Sequence, residues 1–153
     1  MAQVLSFLVS TGHDDTVGVV FPVFREHIER FLSERKKVFV KFAGERMFPR
    51  LQVGSKLFFY ESQGAKEIVG EARIVEITQG TVDEVLARFG RDLFLTRSEL
   101  EAYAGSRRGR RMLVLVLEDM TRYSLPLRLD RGITMAGRYV TKTMLDDSRV
   151  SQE

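Results

Sequence analysis

Two strand-like runs that follow each other closely constrain this chain most. Residues 55–62 and 66–78 are rich in β-branched and aromatic residues, and Gln63-Gly64-Ala65 separates them. Such runs favour extended backbone, and a short loop with glycine between them is typical of a β-hairpin. The sequence therefore predicts an antiparallel pair of strands here.

Further runs of the same kind predict about seven strands in all. One run alternates in polarity along residues 37–42, and another is almost continuously apolar along residues 112–120. The second pattern is typical of a strand that is buried on both faces. The remaining extended segments are predicted at residues 2–9, 121–129 and 133–143.

Three helices are predicted between the strands. Pro22 suits the first turn of a helix, where a missing N–H costs nothing, and apolar residues recur at three- and four-residue spacing along residues 23–32. His27 falls on this apolar stripe, which favours a core histidine over a catalytic one. A threonine followed three residues later by a glutamate is the capping-box pattern, and it predicts two more helices, starting at Thr81–Glu84 and Thr96–Glu99.

Composition places these elements in one α+β domain. The chain has 153 residues, 44% of them apolar, which is enough for one sizeable core. The element order fits a small mixed or barrel-like sheet flanked by short helices. We expect a single domain over residues 1–146 and a flexible tail over residues 147–153.

Several classes of protein are excluded by what the sequence lacks. Cysteine is absent, which excludes disulfide scaffolds, zinc fingers and thiol nucleophiles, and two histidines make a metal site unexpected. The glycine-rich fingerprints of nucleotide cofactors are also absent, so no cofactor is expected. No apolar run reaches the roughly 18 residues that span a bilayer, and no leader sequence is recognisable. We therefore expect a cytoplasmic protein without a membrane partner.

Positive charge is concentrated in two segments. Residues 35–60 carry seven Lys and Arg against one acid, and residues 103–143 carry nine against three, although the net charge of the whole chain is only +3. Such an uneven distribution of charge is expected of a protein in which one face binds a polyanion and another face keeps the protein soluble. The alternative is that these bases are solvated residues at strand edges, where they prevent aggregation.

An aromatic cluster lies close to the basic segments. Phe58 and Tyr60 are predicted on one face of their strand, and Phe59 and Glu61 on the other. Aromatic rings offer surfaces on which bases stack, and a carboxylate accepts hydrogen bonds from an exocyclic amine. The cluster is therefore a candidate base pocket, although each ring taken singly also fits an ordinary core.

The hairpin and the segment before it contain a recognisable set of motif residues. In the hairpin these are Gly54, Leu57, Phe59, Tyr60, Ser62, Ile68, Val69, Gly70, Ala72 and Val75, and residues 21–42 form a helix that leads into a basic strand. On these residues the chain resembles the PUA-like superfamily, in particular its ASCH and EVE branches, and an archaeal family of that superfamily is suggested. The resemblance implies a small β-barrel flanked by helices, with RNA or a modified nucleobase bound in a cleft beside the barrel.

The chain also departs from these families. The ASCH pattern is Gly-x-Lys-x-x-Glu-x-Arg, whereas this chain keeps Lys36 but has Glu34 for the glycine and Phe39 for the glutamate. The missing carboxylate argues against catalysis. EVE domains usually follow their tyrosine with His-Ser, where this chain has Glu61-Ser62, so their ligand preference does not carry over.

The leading hypothesis is a non-enzymatic domain that binds RNA or a modified nucleobase. The basic side chains would hold phosphate, and the tyrosine strand would line a base pocket. The predicted nucleic-acid-binding residues are Lys36, Lys41, Phe59, Tyr60, Glu61, Ser62, Arg73, Arg107, Arg108, Arg110 and Arg111.

Two alternatives stay open. One is an ASCH-like amidohydrolase that acts on a modified nucleoside, with Lys41 or Lys36 as the base and Glu61 or Glu71 as the proton-handling carboxylate. The other is a protein-interaction domain, monomeric or homodimeric, that uses the helical segment 80–105. The apolar residues of that segment, which packing onto the barrel would also explain, are Leu86, Phe89, Leu93, Phe94 and Leu95.

Overall fold

The computed structural model describes residues 15–43, 50–129 and 132–152, so the strand predicted at residues 2–9 lies outside the described residues. The described residues form six strands and four α-helices, with a short 3₁₀ turn at Gly105–Arg107. The strands are β1 (Thr16–Val23), β2 (Val38–Lys41), β3 (Lys56–Glu61), β4 (Ile68–Gly80), β5 (Met112–Leu127) and β6 (Arg138–Thr141). The helices are α1 (Arg25–Leu32), α2 (Val82–Phe89), α3 (Arg97–Ala104) and α4 (Lys142–Gln152).

All six strands belong to one mixed sheet with the order β2-β5-β4-β3-β1-β6. Strands β1 and β3 are parallel, and the other neighbours are antiparallel. The predicted hairpin is confirmed, because β3 and β4 pair with Lys56 opposite Arg73 and Phe58 opposite Glu71. The predicted α+β class is confirmed as well.

The sheet is not closed into a barrel, which corrects that part of the prediction. The outer edge of β2 meets the segment after α2 instead of β6: Phe94 N–H donates to Val38 O at 3.0 Å. This contact covers the edge that closure would have used. The sheet is nevertheless strongly curved, because the rings of Phe21 on β1 and Phe39 on β2 stack with centroids 5.5 Å apart although three strands lie between them.

Apolar side chains fill both faces of the sheet. On one face Phe31 of α1 stacks against Phe59 of β3 and against Phe94, with ring centroids 5.0 Å apart in each case. Phe58 and Tyr60 belong to a second cluster. The predicted alternation along this strand is therefore confirmed. Full burial of one such side chain contributes roughly 1.5–3 kcal/mol.

The start of the first helix differs from the prediction. Pro22 lies in β1, and Phe24 is the N-cap of α1. Val23 O accepts a hydrogen bond from Ser62 N on the β3 side, so the Pro22 nitrogen faces the other side of the strand. The pairing with β6 has already ended at Val20, so proline removes no bond from the ladder.

Both capping boxes are confirmed, at Thr81–Glu84 for α2 and Thr96–Glu99 for α3. Residues 112–127, expected as two extended segments, form the single strand β5. The last helix runs to Gln152. The domain bounds and the flexible tail expected from residue 147 stay predictions. None of the helices in the described residues is long and apolar enough to cross a membrane.

Candidate functional site

A cleft of about 410 Å³ opens beside the sheet, between α1, α3 and the ends of β1 and β2. Its walls are mostly apolar, and Phe24 and Met135 stand at its opening with exposed fractions of 47% and 64%. Clefts of about 300–1,000 Å³ with a few convergent polar groups are typical of small-ligand sites. The polar side chains that line this one are Glu26, His27, Lys41, Ser62, Glu99 and Tyr103.

Glu99 is held in place from two sides. The Arg30 guanidinium on α1 donates from Nη1 to Glu99 Oε1 at 2.5 Å and from Nη2 to Oε2 at 3.0 Å. The backbone N–H of Thr96 donates to the same Oε1 at 2.8 Å. These hydrogen bonds, the one from Arg30 first, lower the pKa of Glu99 to about 2. The cleft therefore contains a carboxylate that is ionised at neutral pH and fixed in position.

His27 lies one turn before Arg30 on α1 and contacts both the carboxylate and the apolar wall. Its Nε2 is 3.8 Å from Glu99 Oε2, and its ring meets the edge of Phe94 with centroids 5.5 Å apart. Burial, followed by the nearby charge of Arg30, lowers the pKa of His27 below its usual 6.5. The imidazole is therefore neutral at pH 7.

Lys41 supplies a cation at the end of β2. Its Nζ lies 5.5 Å from the centre of the Phe21 ring, and no carboxylate within the described ranges forms an ion pair with it. Burial lowers the pKa of Lys41, and the charge of Arg107 lowers it further. A half-buried ammonium group without a counter-ion is a ready donor to an anionic or carbonyl oxygen of a ligand.

The basic turn 107–111 follows α3 at the Lys41 end of the cleft. The Arg107 guanidinium lies 4.2 Å from the centre of the Phe42 ring and donates to Tyr103 O at 2.8 Å. Arg108 forms ion pairs with Asp83 and Glu101. Arg110 and Arg111 are exposed and form no ion pair with the residues that the structure describes. These last two are the members of the turn that are free to bind phosphate.

The aromatic rings of β3 that were predicted to line a base pocket lie in the interior of the protein. Phe59 is completely buried against Phe31, and only 4% of Tyr60 is exposed, so neither ring offers a face to a base. Glu61 is 7% exposed and accepts from Arg25 Nη2 at 2.7 Å. Only Ser62 of this predicted group lines the cleft. The rings of Phe59 and Tyr60 are instead part of the two hydrophobic core clusters.

Two predicted basic residues also point elsewhere. Arg73 pairs with Asp119 at 2.8 Å, and Lys36 Nζ donates to Arg91 O at 2.8 Å. Neither residue lines the cleft. Of the residues predicted to bind nucleic acid, the structure brings Lys41 and Ser62 together in the cleft and places the charge of Arg107 close to Lys41.

The residues predicted for the amidohydrolase and for the protein-interaction domain lie mostly outside the cleft. Glu71 binds Lys56 Nζ at 2.6 Å and Tyr123 Oη at 2.7 Å, and neither Glu71 nor Glu61 lines the cleft with Lys41. Of the helical segment, Phe94 is 6% exposed and belongs to the main core. Oligomeric state stays a prediction.

Sequence reasoning missed Glu99, Tyr103 and the site role of His27. The capping box identified Glu99 only as the start of a helix, since Arg30 is 69 residues away in the chain and nothing in the pattern joins the two. Among residues 15–43, 50–129 and 132–152, no three His, Asp or Glu side chains are placed to hold a metal ion.

The fold is similar to that of solved ASCH proteins. The structure is similar to ASCH from Zymomonas mobilis, with a TM-score of 0.72 and 20% identity over 88% of this chain and 94% of that chain. It is also similar to a serine-to-alanine variant of that protein, with a TM-score of 0.74 and 20% identity over 90% of this chain and 97% of the other. At such identities the likeness shows the fold alone.

By sequence, the chain belongs to the family described as Domain of unknown function (DUF365), whose model matches residues 16–142. No curated protein matches the sequence. An archaeal source stays a prediction.

Proposed function

We propose that this protein binds RNA by taking one unstacked nucleobase, unmodified or modified, into the cleft. One observation carries the proposal: the cleft of about 410 Å³ combines apolar and aromatic walls with the convergent polar groups of His27, Lys41 and Glu99. Single-stranded RNA is recognised mainly in this way, by apolar contact with a splayed base and hydrogen bonds to its edge. The ASCH fold supports the same class of ligand.

The rings at the opening suit a planar ligand. Phe24 is 47% exposed and packs edge-on against His27, with ring centroids 5.7 Å apart. Tyr103 on α3 also lines the cleft, and its Oη accepts from Phe42 N at 2.9 Å. A base stacked on one such ring gains about 1–3 kcal/mol.

The basic turn provides for the backbone of the same RNA. The charge of Arg107 acts on Lys41 in the cleft, and Arg110 and Arg111, three and four residues further along the chain, are exposed. A base inside the cleft would leave its phosphates outside, within reach of these guanidinium groups. Phosphate contacts of this kind supply affinity and position but no sequence information.

Binding is favoured over hydrolysis by the placement of the carboxylates. The proposed hydrolase needs Lys41 or Lys36 beside Glu61 or Glu71, and of these four residues only Lys41 lines the cleft. Glu99 does line it, but its bonds to Arg30 lower its pKa to about 2, so it is a poor proton donor at neutral pH.

Fluorescence polarisation with single-stranded RNA, an RNA hairpin and single-stranded DNA tests the proposal. We expect the single-stranded RNA to bind best, with an affinity that falls steeply as salt is added. Lys41→Met should weaken binding at least fivefold, whereas Lys37→Met, the same change at the residue just before β2, should weaken it less than twofold. Binding that is absent at low salt, or indifferent to salt, would overturn the proposal.

A further inference from the structure

Counting hydrogen bonds shows that one acceptor position of Glu99 is open. A carboxylate has about four acceptor positions, two on each oxygen. Oε1 accepts from Arg30 Nη1 and from Thr96 N, and Oε2 accepts from Arg30 Nη2. Among the hydrogen bonds of the described residues, Oε2 therefore has one position left.

The oxygen with the open position belongs to a side chain that lines the cleft. Oε2 is the oxygen that lies 3.8 Å from His27 Nε2, and both side chains line the cleft. Arg30 takes the opposite side of the carboxylate, where its Nη1 also donates to Phe94 O at 2.9 Å. The carboxylate cannot turn away without breaking these bonds, so the acceptor is fixed before any ligand arrives.

We propose that Glu99 selects bases that carry an exocyclic amino group, which donates one N–H to Oε2. Adenine and cytosine have such a group, whereas hypoxanthine and uracil have a carbonyl oxygen in its place. A carbonyl oxygen at this position would be repelled by Oε2, because both atoms are acceptors. The partly buried carboxylate would then lack a hydrogen-bond donor at this position. Glu26 adds a second negative charge to the lining of the cleft, which also favours a donor over an acceptor. The inference rests on the proposed function and names the ligands within it.

The test compares short RNAs that differ in one central base, cytosine against uracil and adenine against hypoxanthine. We expect the amino-bearing member of each pair to bind roughly tenfold more tightly, within the range of one good base contact. This comparison needs no variant, so it does not depend on how a substitution affects folding.

Variants then assign the preference to Glu99. Glu99→Gln should reduce it to less than twofold, since the side-chain amide can present a donor in place of the open acceptor. Glutamine also occurs at this position of capping boxes, so Glu99→Gln should not disrupt the start of α3. The matched control is Glu84→Gln, the same change in the capping box of α2, which does not line the cleft and should keep the tenfold preference.

The outcomes separate the two proposals. If RNA binds with a steep salt dependence but without preference in either pair, the inference fails and the proposed function stands. A preference that persists in Glu99→Gln also overturns the inference. If no RNA binds at all, the proposed function fails and the inference fails with it.

Discussion

Arg30 and Glu99, 69 residues apart in the chain, form a two-point ion pair that joins α1 to α3 along one wall of the cleft. Their side chains are 21% and 35% exposed. The pair orients the carboxylate, and by its hydrogen bond to Phe94 O the same arginine also secures the segment that covers the edge of β2. Cleft geometry and core packing are therefore coupled through one guanidinium group.

Replacing Arg30 should destabilise the fold and release Glu99. Arg30→Ala is expected to lower the free energy of unfolding by about 1–2 kcal/mol, because bonds to charged groups are lost in a partly screened site. Urea denaturation measures this change. Arg88→Ala removes an exposed pair with Glu76 and should cost less than about 1 kcal/mol. Equal losses in the two variants would contradict a special role for Arg30.

The low pKa of Glu99 predicts an acid-sensitive fold. Its folded pKa of about 2 lies below the usual value of 4.5, so the carboxylate contributes stability above pH 4.5 that is lost as the pH falls towards 2. Wild type should lose stability over this window more steeply than Glu99→Gln, which has no such group to titrate. Urea unfolding at a series of pH values gives both slopes, and parallel slopes would count against the prediction.

His27 should titrate below pH 6.5. Burial and Arg30 lower its pKa, while Glu99 and Glu26 act in the opposite direction. Because the pKa is lowered by folding, the contribution to stability is present above pH 6.5 and is lost as the pH falls through the folded value. NMR titration of the imidazole measures the pKa directly. In His27→Gln, the loss of stability just below pH 6.5 should become smaller.

The Lys41 amine should be unusually reactive. Burial and the charge of Arg107 lower its pKa, so more of it is unprotonated at mildly alkaline pH than of an exposed lysine. Brief acetylation should modify Lys41 faster than its solvent exposure alone predicts, and mass spectrometry measures the extent of modification at each lysine. Arg107→Gln should raise the pKa and slow the reaction at Lys41, while the exposed Lys142 reacts as before.

Phosphate and base contacts should separate in mutant RNA binding. Arg110→Gln with Arg111→Gln should weaken every single-stranded RNA alike and reduce the slope of log affinity against log salt by roughly 2, about one for each lost cation. The preference between bases should not change, since phosphate contacts carry no sequence information. If the preference between bases changed in this double variant, the turn would contact the base rather than the phosphate backbone, and the prediction would be wrong.

Sequence alone determined the features that depend on neighbours along the chain. The hairpin of β3 and β4, the two capping boxes and the alternation of Phe58 with Phe59 all follow from local hydrogen bonds and side-chain periodicity. The resemblance carried by the motif residues of the hairpin also predicted the α+β fold.

Tertiary structure alone decided what those elements enclose. Whether Phe59 meets a base or Phe31, whether Glu61 is free or bound to Arg25, and whether β2 closes a barrel depend on contacts between distant segments. The free energy of such contacts comes from packing and desolvation, which sequence spacing does not encode. The carboxylate of the cleft was therefore found not on the aromatic strand but at Glu99, where folding brings Arg30 and His27 to it.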